Sequence, residues 1–305
     1  MNKKIINYLD KHISSRLEGK NIFITGGNSG VGLETAKECA YLGANLFLLC
    51  RNLAKAESAK NEILLEFPNT KVMLIKLDLA SLKSIKDCVN EVKKYDVDIF
   101  INNAGVYRLP KGVTKDNFEI TMGTNFIGTC YLNDLLNEYF VTLSHKVHVL
   151  FTTSITSKMS KINYNDFYSE KKYKYMTVYA RSKVAINNLY FTYLEEKKDK
   201  NILYSLVHPG ITYTPLITKG YRNKFFEKIA SIFMRGVFHR CDKAALMNIY
   251  AINLNKSCMV GPRGLLGVSG YPHLTHFSKS SHSLECVEFG RNEIRKVGFW
   301  LWNMH

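Results

Sequence analysis

Thr25-Gly26-Gly27-Asn28-Ser29-Gly30-Val31-Gly32 follows a short β-rich run, 21–25, and opens a helical pattern over 31–42. Glycines at these positions permit a tight turn and let backbone N–H groups approach a pyrophosphate, whose charge is favoured at a helix N-terminus. An ordinary glycine-rich turn has the same composition. The strand before it and the helix after it favour nucleotide binding, with Thr25, Gly26, Asn28, Ser29, Gly30, Val31 and Gly32 as the cradle.

Outward from this turn the chain keeps alternating between short β-rich runs and longer helical ones. Strands are expected near 21–25, 45–50, 72–77, 98–102, 147–153, 202–207 and 265–268. Helices are expected over 31–42, 54–66, 81–94, 125–140, 177–197 and 241–254. Strands alternating with helices predict an α/β fold: a Rossmann-type, doubly wound parallel sheet with helices on both faces. With no repeat or low-complexity linker, residues 1–305 read as a single dinucleotide-binding and catalytic domain with a leading helix over 1–18. Two long segments, 155–176 and 211–240, follow strand ends, where such sheets shape a ligand crevice; 211–240 is read as the substrate-pocket segment.

Composition narrows the function classes. Apolar residues make up 46% and charged residues 22% of the chain, enough for a sizeable core and too apolar for disorder. Runs such as Ile22–Ile24 and Leu46–Cys50 are far short of the roughly 20 residues that cross a bilayer. Seven cysteines without a CxxC pair argue against a disulfide framework or a zinc site, and no metal is expected. A net charge of +16 reads as solvated surface, with no specific nucleic-acid partner. The N-terminus has lysines but no continuous apolar core, so an ordinary helix is preferred to a targeting segment and a cytoplasmic location is expected.

At the end of the second strand stands Arg51, where an acidic residue would read the ribose diol of NAD; a guanidinium can pair with a 2′-phosphate, so NADP(H) is the expected cofactor. Asp78, after the third strand, can accept from an adenine amine, and Asn102-Asn103-Ala104-Gly105 ends the fourth strand beside the expected cofactor. Tyr-x-x-x-Lys occurs four times, against about two expected by chance from 18 tyrosines and 32 lysines, so the spacing alone identifies nothing. Context separates the four. Tyr107 has Pro110 within its spacing, Tyr168 lies in a polar loop, and Tyr193 falls in the last turns of a helix. Only Tyr179 and Lys183 open a helix after a candidate active-site loop, where an i, i+4 pair shares one face.

These segments together resemble the short-chain dehydrogenase/reductase family, within it the retinol dehydrogenase-like branch. TGGNSGVG, LCRN, DLASLKSI, INNAGVY, TNFIG, YARSK and HPG follow the family's order and spacing from about residue 18 to 215. The resemblance implies Tyr179 as general acid/base, its ordinary pKa near 10 lowered by Lys183, which also holds the nicotinamide ribose. It implies Ser154 as hydrogen-bond partner of the substrate oxygen and Asn125 as holder of a water linking Lys183 to solvent. Ala104, Gly105, Pro209, Gly210 and Thr214 would line the cofactor. After Asn125 the chain reads FIGTC where that branch carries a histidine-containing HLGHF.

The expected activity is hydride transfer between NADP(H) and a small alcohol, aldehyde or ketone. A catalytically idle dinucleotide-binding sensor or scaffold, and an epimerase or dehydratase on the same fold, are the alternatives. Phe225, Phe226, Ile229, Ile232, Phe233 and Phe238 favour a lipophilic ligand. A basic amphipathic helix over 221–240 touching an intracellular membrane accounts for these residues equally well, and a core-facing helix gives the same pattern.

Overall fold

The computed structural model describes residues 1–196, 201–212, 240–264 and 267–299. Eight strands form one sheet: β1 (Asn21–Thr25), β2 (Asn45–Cys50), β3 (Val72–Lys76), β4 (Ile99–Asn102), β5 (Val147–Thr152), β6 (Ile202–Val207), β7 (Cys258–Pro262) and β8 (Pro272–Leu274). Their order is β3-β2-β1-β4-β5-β6-β7-β8, with only the β7–β8 pair antiparallel. The order reverses between β1 and β4, and this switch point opens a crevice at the strands' carboxyl ends.

Helices α1 (Lys3–His12), α2 (Gly30–Tyr41), α3 (Leu53–Glu66), α4 (Leu82–Val92) and a single turn α5 (Ile120–Met122) come from the first half of the chain. A π-helical turn, Gly123–Ile127, runs directly into α6 (Gly128–Phe140); α7 (Tyr175–Glu196), α8 (Cys241–Leu254) and α9 (Ser283–Lys296) follow. Strand residues alternate between two apolar layers. Phe23, Phe47 and Phe100 face a cluster that includes residues of α4, α6, α7 and α9, while Ile22, Ile24, Leu46 and Leu48 face one that includes α1, α2, α3 and α8. Being buried on both faces is why these strands read as continuous apolar runs, each fully buried side chain contributing on the order of 1.5–3 kcal/mol.

Two expectations are corrected. The seventh strand is 258–262, paired with β6 through Ser205↔Cys258, and not 265–268. Gly267 and Val268 instead belong to a connection turned by Gly267 at φ +69° and closed by the bond from Gly264 N–H to Ser269 O; 265 and 266 lie outside the described residues. Both runs are short and apolar, and periodicity alone cannot choose between them. The helix expected from 125 begins at Ile120, so Asn125 lies inside continuous helical structure rather than at a cap.

Helix α9 is tied down by Arg291, 2% exposed, whose guanidinium bonds both carboxylate oxygens of Asp134 on α6 (3.0 and 2.8 Å) and reaches Glu196 on α7 (2.8 Å). At the opposite layer α1 buries Ile5 and Leu9. Its Asn2 bonds Asp242, Tyr8 stacks on Tyr271 at 5.0 Å, and Ser14 and Ser15 just beyond it donate to Asn253.

Candidate active site

The glycine turn connects β1 to α2 in a conformation the sequence demands. Gly26 and Gly30 have φ of +66° and +57°, and Ser29, the N-cap of α2, makes no side-chain capping bond. The N-terminal N–H groups of α2 therefore face the crevice without a side-chain oxygen on them, which suits an anion such as a pyrophosphate. Gly32 has a different reason to be glycine: a Cβ there would lie 2.5 Å from both Gly26 O and Asn103 Nδ2. It lets α2 pack onto the turn.

Thr25, 1% exposed, uses its hydroxyl internally: it donates to Ile101 O (3.3 Å) and accepts from Asn103 N–H (3.0 Å) and Ala104 N–H (2.9 Å). Asn103 Nδ2 returns a bond to Thr25 O at 3.0 Å. The ends of β1 and β4 are thus clamped across the switch point. Asn102 exchanges reciprocal 2.9 Å amide bonds with Asn133 of α6, so its side chain serves the core. Asp78 accepts from Ala80 N–H at 3.1 Å and faces Lys115 at 3.5 Å. Arg51 is exposed at the end of β2.

Tyr179, Lys183, Ser154 and Asn125 come together on the far side of β4. Ser154 follows β5 and caps a short 3₁₀ turn, accepting from Thr156 N–H (3.3 Å), and its hydroxyl also hydrogen-bonds Tyr179. Tyr179 and Lys183 lie one turn apart on α7, the ammonium 5.7 Å from the phenol ring centroid. Lys183, 5% exposed, donates to Thr152 O at 2.9 Å. Gly105 is the wall they share with Asn125: a Cβ there would sit 3.3 Å from Asn125 Oδ1 and 3.6 Å from Lys183 Nζ.

Asn125 occupies the π-helical turn, a local widening that recurs at functional sites. Its Oδ1 accepts from Val106 N–H (2.7 Å), while Nδ2 donates to Val106 O (2.9 Å) and to Ser182 Oγ (3.0 Å). Ser182 in turn donates to Tyr179 O at 2.8 Å. The amide therefore clamps the loop after β4 to α7.

Burial sets the electrostatics. It pushes the Tyr179 phenol up to about 12, with the Ser154 hydrogen bond acting in the opposite direction and nearby Tyr107 adding to the rise. It lowers the Lys183 ammonium to about 8. In the protein alone desolvation of the phenolate dominates, the Lys183 ammonium lying 5.7 Å from the ring centroid.

Pro209 and Gly210, at φ +84°, follow β6, where Ile211 N–H bonds Val268 O. Thr214 and most of 211–240, including the expected amphipathic segment, lie outside the described residues. Sequence alone shows neither the clamping job of the Asn103 side chain nor Ser182 and the Thr152 carbonyl, all of which fix a site residue. Their neighbours in INNAG and YARSK were the available signal. Tyr107, whose spacing to Lys111 contains Pro110, packs its ring edge-on against Tyr179 at 4.7 Å. Among the described residues no group of His, Cys, Asp and Glu could hold a metal, and no helix is long and apolar enough to cross a membrane.

Comparison with known proteins follows the same residues. A sequence model of the short chain dehydrogenases matches residues 20–224. Human retinol dehydrogenase 12 is 36% identical over 206 residues, 66% of this chain and 64% of that protein. Mouse retinol dehydrogenase 13 is 33% identical over 73% of this chain and 66% of its own length; mouse retinol dehydrogenase 11 is 32% identical over 93% and 85%. The matched stretch thus spans just under two thirds of the first two relatives. Among solved structures, an uncharacterised protein from Mycobacterium paratuberculosis has a TM-score of 0.69 at 24% identity, covering 94% of this chain and 96% of its own. Levodione reductase has a TM-score of 0.64 at 20% identity, covering 78% and 92%. At these identities the structures speak for the fold.

Proposed function

The chain belongs to the short-chain dehydrogenase family, on its retinol dehydrogenase-like branch, and from that premise we propose that it is an NADP(H)-dependent oxidoreductase interconverting a lipophilic alcohol and its aldehyde or ketone. The observation that carries this reading is the meeting of Ser154, Tyr179 and Lys183 beside a glycine turn built to take a pyrophosphate. Residues 1–305 act as one dinucleotide-binding and catalytic unit. Binding to the turn at Gly26–Gly32, with Arg51 on the 2′-phosphate and Asp78 near the adenine, would hold the dinucleotide along the carboxyl ends of β1 to β4. When bound, the nicotinamide gives or takes the hydride.

The chain's own residues move the proton. Tyr179 Oη passes its proton to the carbonyl oxygen in reduction and recovers it in oxidation. Ser154 Oγ bonds the same oxygen and the phenol, fixing the distance between them. Lys183 places a positive charge beside the phenolate that forms in reduction. Asn125 is a positioning residue, its amide holding the loop after β4 and Ser182 in register with Tyr179. An idle sensor or scaffold gains no support from a chain that retains all four residues.

The test is turnover of NADPH and NADH against aldehydes, ketones, retinoids and steroids by the parent and by Tyr179→Phe. Turnover is expected to be lost in Tyr179→Phe while NADPH affinity, read by fluorescence titration, stays close to that of the parent. Activity within about tenfold of the parent would remove Tyr179 from the role of acid/base, since general acid–base catalysis contributes roughly 10²–10⁴-fold.

A further inference from the structure

Lys76 is the last residue of β3 and pairs in register with Cys50, the last residue of β2. Residues directly opposite in a parallel pair project to the same face, here the face covered by α2 and α3. Gly26 N–H donates to Leu49 O at 2.8 Å, so the glycine turn lies against this strand end. From the exposed edge strand, the Lys76 ammonium reaches past it to donate a 2.6 Å bond to the carbonyl oxygen of Arg51. Asn52 then caps α3 by accepting from Lys55 N–H at 2.9 Å, so the positive end of that helix opens on the same turn.

Two cations and a helix N-terminus therefore bracket the end of β2. Among the described residues no carboxylate pairs with Lys76 or with Arg51. A phosphate dianion at this strand end can make charge-assisted bonds with both side chains. We propose that Lys76 supplies the second cation for the 2′-phosphate of the dinucleotide, sharing it with Arg51 and helping to set the preference for NADP(H). This rests on the NADP(H) reading of the site. Lysine suits the task as a compact charge on a flexible stem, complementing the planar fork of Arg51.

The test uses the full chain and two nucleotides that differ in the 2′-phosphate, 2′,5′-ADP and 5′-AMP, titrated by calorimetry at low and high salt. Lys76→Gln keeps an N–H donor for the Arg51 carbonyl and removes the charge; Lys76→Arg restores the charge. Lys76→Gln is expected to weaken 2′,5′-ADP about tenfold with a shallower salt dependence, to leave 5′-AMP within about twofold, and to be rescued by Lys76→Arg. Arg51→Ala is expected to lose at least as much. If Lys76→Gln keeps the parent's discrimination while Arg51→Ala loses it, Lys76 only ties down the turn and the proposal fails alone. If the parent binds both nucleotides equally, the NADP(H) reading fails and the role of Lys76 with it.

Discussion

Lys183 carries a charge in a place that disfavours charge. Burial lowers its pKa from 10.5 to about 8, so the ammonium is present below pH 8 and is lost as pH rises through that value. In the mechanism proposed above, carbonyl reduction would need that charge while Tyr179, pushed up to about 12, remains protonated throughout the same range. The reduction rate at saturating NADPH is therefore expected to fall above about pH 8, and Lys183→Arg to shift that limb to higher pH while lowering the maximum. A pH–rate profile from 6 to 10 measures both; a limb unmoved by the substitution would assign the titration to another group. At this scale the sequence was informative about identity and silent about partners. Position relative to a strand end and a helix start separates Tyr179 from Tyr107, Tyr168 and Tyr193, because those contexts are local. Nothing local announces that Thr25 uses its hydroxyl on β4, or that Asn102 turns into the core toward Asn133, 31 positions away.

Helix α2 and the turn before it behave as one element because Gly32 lets them touch. A Cβ there would approach Gly26 O and Asn103 Nδ2 to 2.5 Å, and both atoms belong to the clamp between β1 and β4. Gly32→Ala is expected to destabilise the ligand-free protein by about 1–3 kcal/mol through overpacking, lowering Tm by several degrees, as well as weakening NADPH. An unchanged Tm with weaker NADPH would mean that this glycine only makes room for the cofactor. The π-helical turn at 123–127 was not legible in the sequence, since a widened turn and an α-helix share the same apolar spacing. The mistaken seventh strand has a similar origin. Cys258–Pro262 and the run at 265–268 are both short and apolar, and only the parallel pairing with β6 distinguishes them.

Across the whole molecule the alternating pattern sufficed for the parallel sheet from β1 to β6, because strands buried on both faces must be continuously apolar. Helix α9 was not legible, since what secures it is a single cation meeting carboxylates contributed by two other helices. Arg291→Met would leave Asp134, 8% exposed, as an uncompensated buried charge and is expected to cost about 3–5 kcal/mol. The urea midpoint should fall accordingly, and adding Asp134→Asn should recover part of the loss; full stability in the single variant would show that water or another base replaces Arg291. The opposite layer closes differently. Asn2, Tyr8 and Ser14 find their partners at Asp242, Tyr271 and Asn253, so α1 can bury Ile5 and Leu9 against α8 only after residues 242–271, more than 200 positions later, have left the ribosome. Until then the apolar face of α1 stays uncovered, and its docking is expected among the late steps of folding.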